Sequence, residues 1–250
     1  MGAQNALELF ASVKAVITNS HVVYNSGKHG SAYVNKDAVY PHAKETSDLC
    51  RLIAEEFKND NVEVVIAPIV GGVILQTHTA LHLSEITGRE VLGIYADKNE
   101  KSVFKQDTDI THNVAIGYQV AGDALSFNLE RGEELVVKDG TFVIKRGYDK
   151  LVPGKNVLVV EDILTTGASA RKVVEAVRAI GGNVVGVGVL CNRGGVTLAN
   201  LANPPKLFAL ANVTLDAWEE AECPLCAQGV PINTDVGKGK DFLARKAAAT

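Results

Sequence analysis

The sequence lacks several features that mark common classes of protein. No apolar run in its 250 residues approaches the roughly 20 needed to span a bilayer. The net charge is −4, whereas binding to a nucleic-acid backbone needs an excess of Lys and Arg. Residues 1–14 show no basic start followed by an apolar block, so no secretory signal is predicted. With 46% hydrophobic and 22% charged residues, we expect an ordinary globular, cytoplasmic protein.

Cysteine is also scarce, with only Cys50, Cys191, Cys223 and Cys226. The first two fall at predicted core positions, one in a helix and one at a strand end. Cys223-Pro-Leu-Cys226 has the spacing of a metal knuckle but is only half of a tetrahedral site. The sequence shows no second Cys-x-x-Cys and no His pair to complete it, and no metal ligand is assigned. Three interpretations stay open: free thiols, a metal site completed elsewhere or across a dimer, or a redox pair.

The most informative stretch is residues 157–169, Val-Leu-Val-Val-Glu-Asp-Ile-Leu-Thr-Thr-Gly-Ala-Ser. The aliphatic run predicts a strand buried on both faces of a parallel sheet. Two carboxylates, a hydroxyl-rich turn and an amphipathic helix follow it. Such a turn at a helix N-terminus offers N–H groups and hydroxyls to a phosphate, and the carboxylates can accept hydrogen bonds from sugar hydroxyls. The stretch therefore predicts a site for a phosphorylated sugar at the carboxyl edge of a sheet.

This stretch resembles the phosphoribosyl pyrophosphate (PRPP) signature of type I phosphoribosyltransferases. The resemblance implies that Glu161 and Asp162 bind the ribose hydroxyls. It further implies that the 5′-phosphate is held by Thr165, Thr166, Gly167, Ala168 and Ser169. An ordinary strand, turn and capped helix is the alternative interpretation.

A second resemblance lies near the N-terminus, where residues 21–37 are predicted to form a hairpin with a turn at Ser26-Gly27. This segment is similar to the N-terminal segment of orotate phosphoribosyltransferases. The matching positions are Ser26, Gly27, Lys28, Ser31, Tyr33 and Asn35. Asn25 and Ala32 depart from the pattern, in which Lys and Pro are usual. The resemblance implies that Val34 and Asn35 contact the base.

Further site positions follow the other predicted strands. A Gly-Gly turn after the strand at 62–68 permits close approach to an anion, and the resemblance implies that Val70, Gly71 and Gly72 hold pyrophosphate. The strand at 91–96 is expected to lead into a loop whose Lys98 and Lys101 close over the pyrophosphate. A merely solvated charged loop is the alternative.

The strand at 184–191 ends near Arg193. In the orotate enzymes the matching arginine binds the base carboxylate, and Thr165 is implied to contact the base as well. A surface arginine is the alternative. Residues 103–141 are expected to be an inserted β segment, a lid or a dimer surface, with strands at 114–120, 124–129 and 134–137. His112, in the insertion, is expected to be a surface residue.

Strands that alternate with helices predict an α/β fold, a parallel sheet flanked by helices. The resemblance implies a single type I phosphoribosyltransferase-like domain over residues 1–250. It comprises a small N-terminal hood at 1–40, the β-rich insertion at 103–141 and a tail at 214–250 that holds the Cys-x-x-Cys.

The resemblance implies an orotate phosphoribosyltransferase of pyrimidine synthesis that uses Mg²⁺ carried with PRPP and forms a homodimer. Lys98, Lys101 and Asp162 are the implied catalytic residues. PRPP and a nucleobase are the expected partners, with no nucleic acid and no membrane. A purine phosphoribosyltransferase and a non-catalytic PRPP-binding regulator are the alternatives, although no DNA-binding helix pair is evident.

Overall fold

The computed structural model describes residues 8–24, 26–105, 114–120, 123–129, 134–213 and 215–248, with the side chains of 100–139 left out of the description. The strands in chain order are β1 (Val16–Ile17), β2 (Val22–Val23), β3 (His29–Gly30), β4 (Tyr33–Val34), β5 (Val64–Pro68), β6 (Leu92–Lys105), β7 (Val114–Val120), β8 (Asp123–Leu129), β9 (Glu134–Val143), β10 (Asn156–Leu164), β11 (Asn183–Asn192) and β12 (Leu207–Asn212). The helices are α1 (Ala43–Phe57), α2 (Gly72–Thr87), α3 (Ala168–Ala179), α4 (Pro224–Ala227) and α5 (Gly239–Ala248).

The central sheet has six strands in the order β12-β11-β10-β5-β6-β9. All neighbours run parallel except β9, which pairs antiparallel with β6 at one edge. The predicted parallel α/β fold is therefore confirmed. The carboxyl ends of β5 and β10 lie side by side, which brings the turns after them to one edge of the sheet.

The aliphatic run in β10 is buried on both faces, as its sequence predicts. Leu158 and Val160 belong to one core cluster, and Val157 and Val159 to the other. This alternation follows from the pleat of a strand, which points successive side chains to opposite faces. Both clusters need helices to cover them, so β10 is the centre of a three-layer structure.

Helices α1 and α2 cover one face of the sheet and α3 covers the other. Leu49, Ile53 and Phe57 recur at helical spacing in α1 and are fully buried in the first cluster. Val173 and Val177 of α3 pack in the second cluster. No helix in the described ranges is long and apolar enough to cross a membrane.

The N-terminal hood consists of two short strand pairs. The predicted hairpin with its turn at residues 26–27 is confirmed, because β2 and β3 pair antiparallel. The following strand β4 pairs instead with β1. Residues 8–12 are helical, and β1 begins at Val16.

The segment at 103–141 contains the predicted strands, at slightly different bounds. The pair β7–β8 is a separate two-stranded antiparallel sheet, whereas β9 joins the central sheet beside β6. Strand β9 ends at Val143, and Arg146 and Gly147, which have positive φ, then turn the chain. Asn25 and His112 lie outside the described residues.

Candidate functional site

A cavity of about 310 Å³ lies where the turns after β5 and β10 meet, within the usual range for ligand pockets. One wall is the turn at 69–71, and the opposite wall is the stretch at 161–170. Lys36, Pro68, Lys98 and Phe142 complete the lining. The cavity is thus at the edge of the sheet where open α/β folds bind ligands.

The predicted sugar-phosphate and pyrophosphate positions come together around this cavity. The predicted residues that line it are Val70, Gly71, Lys98, Glu161, Asp162, Thr165, Thr166, Gly167, Ala168 and Ser169. Gly72 does not line it and instead begins α2, where an added Cβ would lie 2.5 Å from the Cβ of Ala67. Its role is therefore close packing of the helix against the strand.

The neighbours of Gly71 leave no room for a side chain at this position of the turn. An added Cβ would lie 2.0 Å from Asp162 Oδ2 and 3.0 Å from Lys36 Nζ. Real Cβ atoms do not approach other atoms this closely, so any larger residue would displace the carboxylate or the turn. The turn after β5 and the acidic pair after β10 are consequently packed as one unit.

The acidic pair is held by two residues that the sequence did not reveal. Lys36 Nζ lies 2.6 Å from Asp162 Oδ2 and donates a hydrogen bond to it. The hydroxyl of Tyr40 donates to the same oxygen at 2.9 Å. Lys36 directly follows the hood residues of the resemblance, but no spacing rule connects positions 36 and 162. These contacts orient Asp162 at the cavity wall and neutralise part of its charge.

Glu161 lies beside Asp162 and is buried. Burial, followed by the charge of Asp162, raises the pKa of Glu161 well above its ordinary value. The backbone N–H of Asp162 donates to Glu161 Oε1 at 3.0 Å and opposes this rise. The pair therefore combines a carboxyl group held by Lys36 with a neighbour that retains its proton more readily.

The signature turn begins α3 with a glycine in the left-handed region. Gly167 has φ +78, and an added Cβ would lie 2.9 Å from the side chains of Val196 and Leu201. Thr165, Thr166 and Ser169 around it are exposed toward the cavity. A glycine turn with hydroxyls at the N-terminus of a twelve-residue helix suits a phosphate.

A second, smaller cavity of about 210 Å³ adjoins the signature turn. Its lining consists of Tyr24, Ser26, Thr165, Arg193, Leu215 and Ala217. Arg193 Nε donates to Thr165 Oγ1 at 3.0 Å, so the guanidinium lies next to the predicted sugar-phosphate site. An added Cβ at Gly194 would lie 1.6 Å from the carbonyl oxygen of Thr165, which explains the glycine after Arg193.

The structure does not bring Val34 and Asn35, which the resemblance implies for base contact, to this second cavity. Val34 is buried in the core and paired with Val16, and neither residue lines either cavity. The backbone N–H of Asn35 already donates to the carbonyl of Ala15 at 2.7 Å. Tyr24 and Ser26, at the turn of the same hood, line the cavity instead. The hairpin was predicted correctly, but the side of it that faces the cavity depends on the pairing of β1 with β4.

The expectation that Lys98 and Lys101 lie in a loop is wrong. Both residues lie within β6, and the strand continues to Lys105 because β9 pairs with it. Lys98 is exposed and lines the larger cavity. The side chain of Lys101 lies outside the described part of the structure.

A third cluster, of side chains that could ligate a metal, lies away from both cavities. His21, His29, Cys223 and Cys226 each point one ligand atom to a common point, with all four atoms within 4.8 Å of one another. The expectation that no histidine pair is available to complete the Cys-x-x-Cys is therefore wrong. Cys223 and His21 are 202 positions apart, and only the folding of the tail onto the hood brings them together.

Comparison with known proteins agrees with this geometry. A sequence model of the phosphoribosyl transferase domain matches residues 35–221. The orotate phosphoribosyltransferase of Desulforamulus reducens is 30% identical over 231 residues, which cover 92% of this chain and 95% of the relative.

Solved structures of orotate phosphoribosyltransferase from Mycobacterium tuberculosis share the fold. The complex with Fe(III) dicitrate has a TM-score of 0.55 and 22% identity, covering 85% of this chain and 97% of that one. The complex with PRPP has a TM-score of 0.51 and 21% identity, covering 85% and 96%. The family model matches most of the chain, and the edge of the sheet carries the PRPP signature. The chain therefore belongs to the type I phosphoribosyltransferase family and is an enzyme of that family.

Proposed function

We propose that this enzyme is an orotate phosphoribosyltransferase, which transfers ribose 5-phosphate from PRPP to orotate. The observation that carries the proposal is Arg193 in the smaller cavity, hydrogen-bonded to Thr165 of the signature turn. A guanidinium is a planar donor that binds a carboxylate with two parallel hydrogen bonds. Orotate carries such a carboxylate, and the curated relative from Desulforamulus reducens is named for this base.

In the proposed reaction the C1′–oxygen bond of PRPP breaks, a bond from C1′ to a ring nitrogen of orotate forms, pyrophosphate leaves, and the proton of that nitrogen is released. The barrier comes from charge separation between the leaving group and a ribose that develops oxocarbenium character. Catalysis is therefore mainly positioning and charge stabilisation. Asp162 and Glu161 would hold the ribose hydroxyls, and the turn at 165–169 would hold the 5′-phosphate.

The pyrophosphate would lie against the turn at 69–71. Lys98, which is exposed at the cavity, supplies a positive charge there. We propose Lys101 as a second cation on the strength of the family resemblance. Mg²⁺, which prefers oxygen ligands and keeps several waters, would be carried on the oxygens of PRPP itself, near the carboxyl groups of Glu161 and Asp162. When bound with the pyrophosphate, Mg²⁺ would act as a Lewis acid on the leaving group.

A purine phosphoribosyltransferase is the second candidate, and the lining of the smaller cavity supports it. The smaller cavity is lined partly by apolar or aromatic groups, namely Tyr24, Leu215 and Ala217, which would pack equally well on a purine ring. The two candidates differ in Arg193, since a purine has no carboxylate for it to bind.

One assay separates these candidates. The protein is mixed with PRPP, Mg²⁺ and each of orotate, adenine, guanine and xanthine, and nucleotide formation is followed. We expect turnover with orotate alone. Turnover of a purine without orotate would refute the proposal, and PRPP binding with no turnover of any base would support a regulator.

The Arg193→Ala variant tests the base site directly. Loss of a charged hydrogen bond to a carboxylate is expected to raise the KM for orotate by about 10–100-fold, or about 1.5–3 kcal/mol. The KM for PRPP should change by less than about threefold, because Arg193 does not line the larger cavity. Equal losses for the two substrates would contradict the role given to Arg193.

We also propose that the enzyme is a homodimer. The outer face of helix α2 carries two large aliphatic side chains two turns apart, Ile74 and Leu81, which are 40% and 50% exposed. Exposed aliphatic side chains that share one helix face suit contact with a second protein surface. Light scattering should give twice the chain mass, and Ile74→Glu should reduce it to one chain mass. A monomeric wild-type protein at micromolar concentration would refute this proposal.

A further inference from the structure

Four potential metal ligands from opposite ends of the chain meet at one point in the hood. The distances from His21 Nε2 to Cys223 Sγ and Cys226 Sγ are 3.5 Å and 3.6 Å. Cys226 Sγ lies 3.3 Å from His29 Nδ1, and the two imidazole nitrogens are 2.8 Å apart. His21, His29 and Cys223 are buried, and Cys226 is half-buried.

These separations resemble the edges of a zinc tetrahedron. With Zn–N bonds of about 2.0–2.1 Å and Zn–S bonds of about 2.3 Å, a tetrahedral site has N···S edges of about 3.6 Å and an N···N edge of about 3.3 Å. The three N···S distances match closely, and the N···N distance would open by about half an ångström. Two thiolates and two neutral imidazoles also balance the charge of Zn²⁺, which lowers the cost of a buried ion.

The outer contacts orient the histidines for coordination. His21 Nδ1 lies 2.7 Å from the carbonyl oxygen of Val230, which can only accept a hydrogen bond. The proton is therefore on Nδ1, and Nε2 points its lone pair to the cluster. A histidine ligand that donates its other N–H to a backbone carbonyl is the usual arrangement in metal sites. His29 presents Nδ1, and its ring packs against Phe242 in a T-shaped contact with centroids 4.9 Å apart.

We propose that His21, His29, Cys223 and Cys226 form a structural zinc site that fastens the C-terminal tail to the N-terminal hood. A set of two sulfur and two nitrogen ligands in tetrahedral arrangement is typical of zinc. All four positions are filled by the protein, so no coordination site is open for substrate. A dithiol redox pair would account for Cys223 and Cys226 but would leave two buried imidazoles without a purpose.

The site would support the smaller cavity without taking part in chemistry. None of its four ligands lines either cavity. His29 and Trp218 exchange a pair of backbone hydrogen bonds of 2.7 Å and 2.8 Å, and Asn233 N donates to the carbonyl of His21 at 2.7 Å. The segment between the knuckle and the central sheet carries Leu215 and Ala217, which face Arg193 across the cavity. The metal would therefore fix one wall of that cavity.

The test measures metal content and affinity in the full-length protein. Wild-type protein, purified under reducing conditions and offered zinc, is expected to hold one zinc per chain by plasma mass spectrometry. The Cys226→Ser variant changes the most accessible of the four ligands. Its affinity for zinc, measured in competition with a chromophoric chelator, should fall at least about 100-fold. This loss exceeds that expected when only a hydrogen bond to a ligand is removed. Cys50→Ser, which changes a fully buried thiol outside the cluster, should retain one zinc.

Cobalt substitution provides a second measurement that does not depend on a variant. Co²⁺ added to the metal-stripped wild-type protein should give the visible bands of a tetrahedral site and a thiolate-to-metal band in the near ultraviolet. Absence of these bands, or no zinc uptake by the reduced wild-type protein, would overturn the proposal. Equal zinc affinity in wild type and Cys226→Ser would also overturn it, as would a Cys223–Cys226 disulfide that forms in the presence of zinc.

Discussion

The contact between Lys36 and Asp162 gives the sharpest test of how the site is held together. The Lys36→Met variant keeps the length of the side chain but removes its charge. The side chain of Asp162 is only 8% exposed and lies beside Glu161. In the variant, Tyr40 is its remaining side-chain hydrogen-bond donor. Breaking a buried ion pair by removing one partner costs about 3–5 kcal/mol. Because Lys36 is 36% exposed and Tyr40 still donates, we expect a discounted loss of about 1–3 kcal/mol in the free energy of unfolding.

The loss should depend on pH in a defined direction. The charge of Lys36 lowers the pKa of Glu161, so its removal raises that pKa further above the ordinary value of 4.5. A carboxyl whose folded pKa is raised binds more protons when folded, and stability then falls as pH rises through the window between the unfolded and folded pKa values. The variant should therefore be closer to wild type at pH 5 than at pH 8.

Urea unfolding at the two pH values measures both effects. Lys44→Met is the matched control, because Lys44 pairs with Asp48 at a similar distance of 2.7 Å on an exposed helix surface. Exposed pairs contribute little, so the control should unfold like wild type at both pH values. An equal loss in the two variants, or a Lys36→Met loss that does not shrink at pH 5, would refute the reasoning.

Two further predictions follow from the same wall of the cavity. Gly71→Ala should lower kcat/KM for PRPP by about 100-fold, since the added methyl group would displace Asp162 Oδ2. Gly154→Ala is the control: its φ of +73 makes the substitution cost some stability, but no atom lies within 4 Å of the added Cβ, so kcat/KM should be retained. Equal values of kcat/KM in the two variants would contradict this account. Glu161→Gln should reduce the loss of stability between pH 5 and pH 8 by at least about 1 kcal/mol in urea unfolding, because the raised folded pKa of Glu161 makes folding take up a proton in this window. A pH dependence identical to wild type would show that Glu161 titrates as in the unfolded chain.

The local sequence was enough to predict structure wherever the informative residues lie within one element and its adjacent turn. The aliphatic run of β10, the two carboxylates and the glycine-hydroxyl turn are contiguous, so the strand, the turn and the amphipathic helix α3 could be predicted together. The order of strands and helices also predicts parallel pairing, because a helix between two strands returns the chain to the same edge of the sheet. The larger cavity followed from these two facts, since the turns after β5 and β10 meet there.

Strand pairing in the hood and the insertion could not be predicted in the same way. Short strands have little periodicity, and their partners depend on which surfaces remain uncovered. As a result β4 pairs with β1, which places Tyr24 and Ser26 rather than Val34 and Asn35 at the smaller cavity. The continuation of β6 through Lys98 likewise depends on β9, which lies more than 30 positions along the chain from that lysine.

The sequence by itself determined the family, the sheet and the phosphate-binding turn of this protein, because each is written in residues close together in the chain. The tertiary structure decided which residues meet across long separations. Lys36 and Tyr40 reach Asp162 from 126 and 122 positions away, and two histidines of the hood meet two cysteines of the tail. Burial gives these contacts their effect, because a charge or a thiol surrounded by protein depends on its few partners rather than on water. No pattern along the chain encodes such partners, so only the folded molecule shows them.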